Sequence, residues 1–270
     1  MSKQNELAQL ADAVTVSGSN VGIGTSSPNP ESSVFTPYLT VKGGAYDGVM
    51  QVVGSRADGD GAGVGQLNFL QDANTTNKTI AQVSAETDGA TANNRGGNLL
   101  FSTKADSGSN TERMRIDSSG RVTKPNQPSF RVTGNTNTSS DAGTVLFSAT
   151  SGQGKHNIGG HYSTSTGKFT APVSGVYFFA SRVLWEGVGD SDDGLHMNLY
   201  INSTSIQAAG RLAGESANGN YGYGGYVETQ LSTSVYMSAN DNVYIRWSVS
   251  GSIRPHNSST WCSFSGYLLG

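Results

Sequence analysis

The residues best suited to metal chemistry are the carboxylates of one short segment, Asp190, Asp192 and Asp193. Carboxylate oxygens are ligands that Ca²⁺ prefers, and nearby backbone carbonyls could supply further oxygen ligands. The spacing is not that of an EF-hand loop and the ligand set is incomplete, so a solvated acidic loop is the alternative interpretation. The sequence indicates no other cofactor.

Catalytic patterns are absent from the sequence. The four histidines lack the HxxxH and HExxH spacings of metal sites, and no G-x-S-x-G segment carries a nucleophilic serine. Asp58 and Asp60 lie in a Gly-rich loop without a nearby aromatic platform, which gives little support for paired carboxylates in glycoside cleavage. We predict that the protein is not an enzyme, and cleavage of a polysaccharide is kept as an alternative.

Aromatic residues in predicted loops are the candidates for binding. Tyr221, Tyr223 and Tyr226 lie in the Gly-rich segment NGNYGYGGYVE, and Trp185 is placed in the other long loop. Tyrosines in loops offer a large contact area at low entropic cost and could stack on a sugar ring. The alternative is that Tyr221 and Tyr223 face the core or a subunit interface at strand spacing.

Composition favours an all-β fold. Gly accounts for 36 of 270 residues, and charged residues make up only 14%, well below the roughly 25% of average domains. β-Branched and aromatic residues recur at strand spacing between turn-forming residues. The net charge of −3 and the scattered Lys and Arg argue against nucleic-acid binding, and no apolar run is long enough for membrane insertion.

The most informative stretch is residues 157–180, NIGGHYSTSTGKFTAPVSGVYFFA. A segment of Ser, Thr and Gly at 163–168 separates two extended segments, and Pro172 and Gly175 mark a second turn. The apolar run at 176–180 then predicts a strand that is buried on both faces.

The spacing of aromatic residues in this stretch resembles the globular head of complement component 1q and its relatives. Those heads share a jelly-roll trimer fold with the tumour necrosis factor superfamily. The positions that match are Asn157, Tyr162, Phe169, Gly175, Tyr177 and Phe179. Two outer positions depart, because Ser151 and Ser181 stand where the family usually has aromatic residues.

Further segments resemble the other strands of that family in the same order, at residues 128–130, 145–147, 196–202, 239–247 and 264–269. The resemblance implies a C-terminal jelly-roll β-sandwich that forms a homotrimer. It also implies that residues of the motif support the trimer core and the fold, namely Tyr162, Phe169, Gly175, Tyr177 and Phe179.

Two other segments resemble the repeats of bacteriophage tail-fibre and related virion proteins. In those repeats a string of the form RMRIDSSGNVGIGT-SP links one β unit to the next. Residues 112–120, ERMRIDSSG, match its first half, and residues 20–28, NVGIGTSSP, match its second half. After Gly120 the sequence changes to RVTKP, which we interpret as the exit from the repeat into the head.

Residues 3–14 are the one helix candidate, because Leu7, Leu10 and Val14 recur at helical spacing. So short a helix is marginal alone in water, and its apolar stripe would need other copies or a host surface to cover it. Attachment to other virion proteins and a frayed terminus are both open.

The region between the two repeat-like segments predicts short strands at residues 38–42, 49–53, 66–71, 80–86 and 98–104. Each strand has few apolar residues, so a single copy would bury little surface and expose long edges. Three copies around a shared axis would bury the apolar faces. We therefore predict a trimeric β stalk, with a small monomeric β domain packed against the head as the alternative.

The sequence thus predicts a virion-attachment segment at 1–30, a trimeric β stalk at 31–122, a linker at 123–129 and a jelly-roll head at 130–270. The predicted function is that of a structural fibre protein of a bacteriophage. It would be assembled in the host cytoplasm, lie in the virion as a tail or capsid fibre, and bind a host-surface glycan or protein through its tip. The alternatives are a purely architectural component, such as a vertex fibre, plug or decoration protein, and a polysaccharide-degrading tail tip.

Overall fold

A computed structural model of the chain describes residues 14–17, 20–23, 39–41, 50–54, 57–135, 143–187, 195–211, 226–249 and 253–269. This part of the chain consists of strands, turns and connecting segments, which confirms the all-β prediction. It contains no helix, and therefore no helix that could cross a membrane. The chain forms two compact units, Met1–Thr123 and Lys124–Gly270.

The first unit begins with a three-stranded sheet. β1 (Val14–Ser17) pairs antiparallel with β2 (Asn20–Ile23), and β3 (Leu39–Val41) pairs parallel with β2. The helix prediction is wrong at Val14, which begins a strand because the run Val-Thr-Val is β-branched and disfavours a helix. Leu7 and Leu10, the other residues of the predicted stripe, lie outside the described residues.

The main sheet of the first unit is an antiparallel meander in chain order. Its strands are β4 (Gly63–Leu70), β5 (Thr79–Asp88), β6 (Gly96–Lys104), β7 (Asn110–Ile116) and β8 (Val122–Thr123). The predicted strands at 66–71, 80–86 and 98–104 are confirmed, with each end within three residues of the prediction. The strand predicted at 49–53 is wrong where it is described, since residues 50–53 pair with no other strand in the described part of the chain.

The turn between β7 and β8 belongs to the segment that resembles virion repeats. Asp117 Oδ1 accepts hydrogen bonds from the backbone N–H groups of Ser119 and Arg121, each at 2.9 Å. The backbone N–H of Arg121 and then its side chain lower the pKa of Asp117, so the carboxylate stays ionised. Gly120 has a φ of +80°, which favours glycine at this position.

The second unit is a sandwich of two antiparallel sheets. Its strands are β9 (Ser129–Thr133), β10 (Gly143–Thr144), β11 (His156–Ile158), β12 (Tyr162–Ser163), β13 (Lys168–Thr170), β14 (Gly175–Glu186), β15 (Leu195–Ile201), β16 (Thr204–Arg211), β17 (Val227–Met237), β18 (Asn242–Val249), β19 (Arg254–Pro255) and β20 (Ser263–Leu268). The β14 sheet has the order β11-β9-β20-β14-β17, with β19 also paired to β14. The β18 sheet has the order β12-β13-β18-β15-β16, with β10 also paired to β18.

A cluster of aromatic rings joins the two sheets. Phe130 lies at its centre, with ring centroids 4.8 Å from Phe169, 5.0 Å from Phe264 and 5.4 Å from Tyr162. The aromatic residues of the motif are all buried inside one protomer, namely Tyr162, Phe169, Tyr177 and Phe179. They therefore hold the protomer together and do not lie on a surface that a second copy could contact. Gly175, the remaining motif residue, begins β14.

Asn157 closes the turn that leads from β11 in one sheet to β12 in the other. Its Nδ2 donates to the carbonyl of Tyr162 at 2.9 Å, and its Oδ1 accepts from the backbone N–H of Tyr162 at 3.1 Å. The turn between them passes through Gly159 and Gly160, both with positive φ. The asparagine of the motif thus replaces backbone pairing across the turn and directs Tyr162 into the core.

Gly266 in β20 has no room for a side chain, because a Cβ there would lie 2.6 Å from Phe179 Cε1 and 2.9 Å from Phe130 Cε1. We expect Gly266→Ala to lower the free energy of unfolding by about 1–3 kcal/mol through overpacking. Urea denaturation followed by circular dichroism measures this. Gly97→Ala is the control, since its Cβ would approach only Glu86 O, at 3.8 Å. Equal stability of Gly266→Ala and the wild type would contradict the described packing.

Cys262 is fully buried beside β20, and its Sγ donates to the carbonyl of His256 at 3.1 Å. Burial raises the pKa of the thiol to about 11. The protonated thiol therefore stabilises the fold fully below its ordinary pKa of 9.0, and this contribution is lost as the pH rises through about 11.

We expect iodoacetamide to leave Cys262 unmodified at pH 8 in the folded protein and to modify it fully in guanidinium chloride, because the reactive thiolate is scarce and inaccessible in the fold. Mass spectrometry of the intact chain measures the modification. Rapid modification without denaturant would show that the thiol is accessible in the native state.

Candidate functional site

The β14 sheet buries one face in the sandwich core and presents its other face to solvent. Side chains along β14 alternate, so Tyr177 and Phe179 point into the core while Val176 and Phe178 point outward. The run at 176–180 is therefore buried on one face only in a single copy of the chain, whereas the sequence predicted burial on both.

One half of the outward face is apolar. Tyr236 is 65% exposed and Tyr267 is 45% exposed, and the ring of Phe178 lies 5.5 Å from that of Tyr267. Strand register places Val176 opposite Tyr236 and Phe178 opposite Tyr267. We call Val176, Phe178, Tyr236, Tyr267 and the exposed Leu269 the aromatic patch. Exposed apolar clusters of this kind mark interaction surfaces, and aromatic residues are enriched at the centres of protein interfaces.

The other half of the face is polar. Arg182 forms an ion pair with Glu228 across β14 and β17, and its guanidinium lies 4.7 Å from the centroid of the Trp261 ring. A depression of about 430 Å³ lies beside Arg182, lined mainly by Ser and Gln residues. An apolar patch bordered by polar groups has the composition of a subunit interface with a hydrated rim.

Trp185 is not in a loop, as the sequence predicted, but in β14. Its side chain is fully buried, its ring lies 5.5 Å from that of Trp247, and its Nε1 donates to Thr229 Oγ1 at 2.7 Å. Its place in the inward register of a long strand explains this burial, and we therefore withdraw it as a contact for an external ligand. Tyr221 and Tyr223 lie outside the described residues.

Tyr226 is the predicted binding residue that the structure places on the surface. It is 39% exposed, and its ring meets that of His256 edge-on at 5.6 Å. His256 Nε2 lies 3.7 Å from Glu186 Oε2, and Glu186 Oε1 accepts from Arg254 Nε at 2.6 Å. An exposed phenol beside charged groups is suited to a polar ligand such as a sugar.

Asp190, Asp192 and Asp193 lie outside the described residues, so calcium binding there stays a prediction. Within the described ranges, no group of three or more His, Cys, Asp or Glu side chains is placed to hold a metal ion.

The two carboxylates considered for glycoside cleavage have structural partners. Asp58 accepts from the backbone N–H of Asn93 at 2.8 Å and from Arg95 Nε at 2.5 Å, and these bonds lower its pKa. Asp60 accepts from the backbone N–H of Gly89 at 2.9 Å. A general acid needs a raised pKa, so the state of Asp58 is the opposite of what that role requires.

The aromatic patch was missed from the sequence, although its pattern was present. The alternation Val176-Tyr177-Phe178-Phe179 assigns two apolar residues to each face of a strand. Tyr236 and Tyr267 follow the same rule in β17 and β20, where their neighbours Met237 and Leu268 point the other way.

The family model of the C1q domain matches residues 129–269. Among solved structures, the globular domain of the zebrafish complement 1qA protein is 16% identical, covers 53% of this chain and 98% of its own, and has a TM-score of 0.35. Murine APRIL is 12% identical over 53% of this chain and 99% of its own, with a TM-score of 0.38. Domains of the matching family form jelly-roll trimers.

Proposed function

The chain belongs to the C1q domain family, whose domains form trimers, and we propose that it is a homotrimeric structural fibre protein of a bacteriophage. Its head forms the tip, which binds a receptor on the surface of the host cell, either a glycan or a protein. Its N-terminal part attaches to other proteins of the virion. The fibre belongs to the tail or the capsid, and it is assembled in the host cytoplasm.

The aromatic patch is the observation that best supports the proposed homotrimer. Among the described residues of the head, the large apolar side chains that are exposed lie on the β14 sheet or in segments beside it, except for Ile206 on β16. Association of three copies through the aromatic patch would remove the apolar area of that patch from water at a gain of about 25 cal/mol per Å². Among its described residues, the β18 sheet offers no comparable surface.

The phage assignment rests on residues 20–28 and 112–120, which resemble virion repeats. The structure supports an exit from the repeat at this point, because β7, its turn and β8 end at Thr123 and the head unit begins at Lys124. A trimeric tip would present three copies of a weak site, and several fibres on a particle would multiply the effective concentration. Firm attachment would then require no strong single site.

We expect the double variant Tyr236→Lys with Tyr267→Lys to be monomeric, because the trimer would bury unpaired charges in the aromatic patch. Sedimentation equilibrium should give three times 28.1 kDa for the wild type and 28.1 kDa for the variant. Ile206→Lys is the matched control, since Ile206 is 43% exposed on the β18 sheet and should tolerate the charge. A trimeric double variant would show that the copies meet elsewhere.

Receptor binding is tested with fluorescently labelled full-length chain on whole cells of a panel of bacteria. We expect saturable binding to a permissive host, and weaker binding of Tyr226→Ser at unchanged mass because the exposed phenol is lost. Adding a chelator tests the acidic segment at 190–193 in the same assay. A well-folded trimer that binds no permissive host would favour the purely architectural role.

A further inference from the structure

One face of the main sheet of the first unit is mainly apolar, with Arg113 at the β7 bulge, where its Nε donates to Thr103 Oγ1 at 3.0 Å. Cross-strand pairs place Leu67, Val83, Phe101 and Met114 in one row of that face. A second row contains Gly65, Ala85, Leu99, Ile116 and Val122, and a third contains Phe69, Ala81 and Thr103. We call this surface the apolar stalk face.

The opposite face of the same sheet is polar and internally paired. Arg115 forms ion pairs with Glu86 at 2.7 Å and with Glu112 at 2.8 Å. Asn98 Nδ2 donates to Glu86 at 3.2 Å, and Gln82 donates to Gln66 across β4 and β5. These long side chains form hydrogen bonds and ion pairs with one another. This face therefore needs no further partner and is suited to contact with water.

In a single copy, large side chains of the apolar stalk face are exposed to water, whereas an apolar side chain of the polar face is buried. Leu67 and Phe69, on the apolar stalk face, are each 49% exposed, whereas Leu100 on the polar face is buried. A shallow apolar depression of about 190 Å³ lies on this face, lined in part by Leu67, Val83 and Leu99, and Val52 borders it where it lies against Gly65. A sheet normally packs its apolar face against another layer, and exposed apolar patches of a few hundred Å² mark interaction sites.

We infer that the apolar stalk face is covered by the same face of two further copies of this chain. The inference rests on the proposed homotrimer, because a trimeric head would tether the copies closely. Only residues 124–128 separate β8 from β9, a linker that spans at most about 22 Å when fully extended. Linkers this short produce effective concentrations in the millimolar range. The first two rows of the face contain no charged side chain, so identical copies can meet there without electrostatic repulsion while the polar faces remain in water.

Thiol accessibility in the full-length chain tests this assignment. Leu67→Cys places a thiol on the apolar stalk face, and Gln66→Cys, the matched control, places one on the polar face one residue away. Wild-type chain is the blank, since Cys262 is buried. We expect a maleimide to label Leu67→Cys about tenfold or more slowly than Gln66→Cys, because interface centres exclude water and solutes. Phe69→Cys provides a second position on the same face.

The mass of each variant, measured by sedimentation in the same samples, separates the outcomes. Slow labelling of Leu67→Cys and Phe69→Cys in a trimer supports the inference. Equal labelling rates on the two faces of a trimer overturn the inference but remain consistent with a trimeric head. Equal rates in a monomer overturn the homotrimer as well. Slow labelling in a monomer overturns the inference too, since another segment of the same chain must then cover the face.

Discussion

The alternation of side chains along β14 is the constraint on which the head depends. Each inward residue contributes to the aromatic core that joins the two sheets, and each outward residue contributes to the opposite face of the β14 sheet. Tyr177 and Phe179 therefore build the protomer, while Val176 and Phe178 build the aromatic patch. One strand carries both the stability of the single copy and the surface through which we propose that copies associate.

The first unit follows the same logic with a simpler sheet. Its polar face is completed by ion pairs and amide contacts within one copy, around Arg115 and Glu86. Its apolar face is covered by Val52 at Gly65 but leaves Leu67 and Phe69 half exposed, and a single sheet cannot bury such a face by itself. Both units thus present apolar sheet faces that a single chain leaves exposed, and association of three copies offers one solution for both.

The sequence was sufficient where local chemistry decides the structure. The spacing of Asn157, Tyr162 and Phe169 identified the head because the turn between β11 and β12 and the aromatic core require those residue types. Trp185 was misplaced because burial of an aromatic residue depends on which strands pair around it. The segment at 49–53 has strand propensity, but propensity does not supply a pairing partner. The exposure of Tyr236 likewise depends on which residues lie across the sheet.

Hydroxyl-radical footprinting of the full-length chain tests the central claim most directly, that the outward face of the β14 sheet is buried between copies. In a single copy Tyr236 is 65% exposed and Tyr226 is 39% exposed, so Tyr236 should be oxidised faster if the chain is monomeric. The account predicts the reverse order, with Tyr236 and Tyr267 protected and Tyr226 reactive. Oxidation of Tyr236 at least as fast as that of Tyr226 would contradict it.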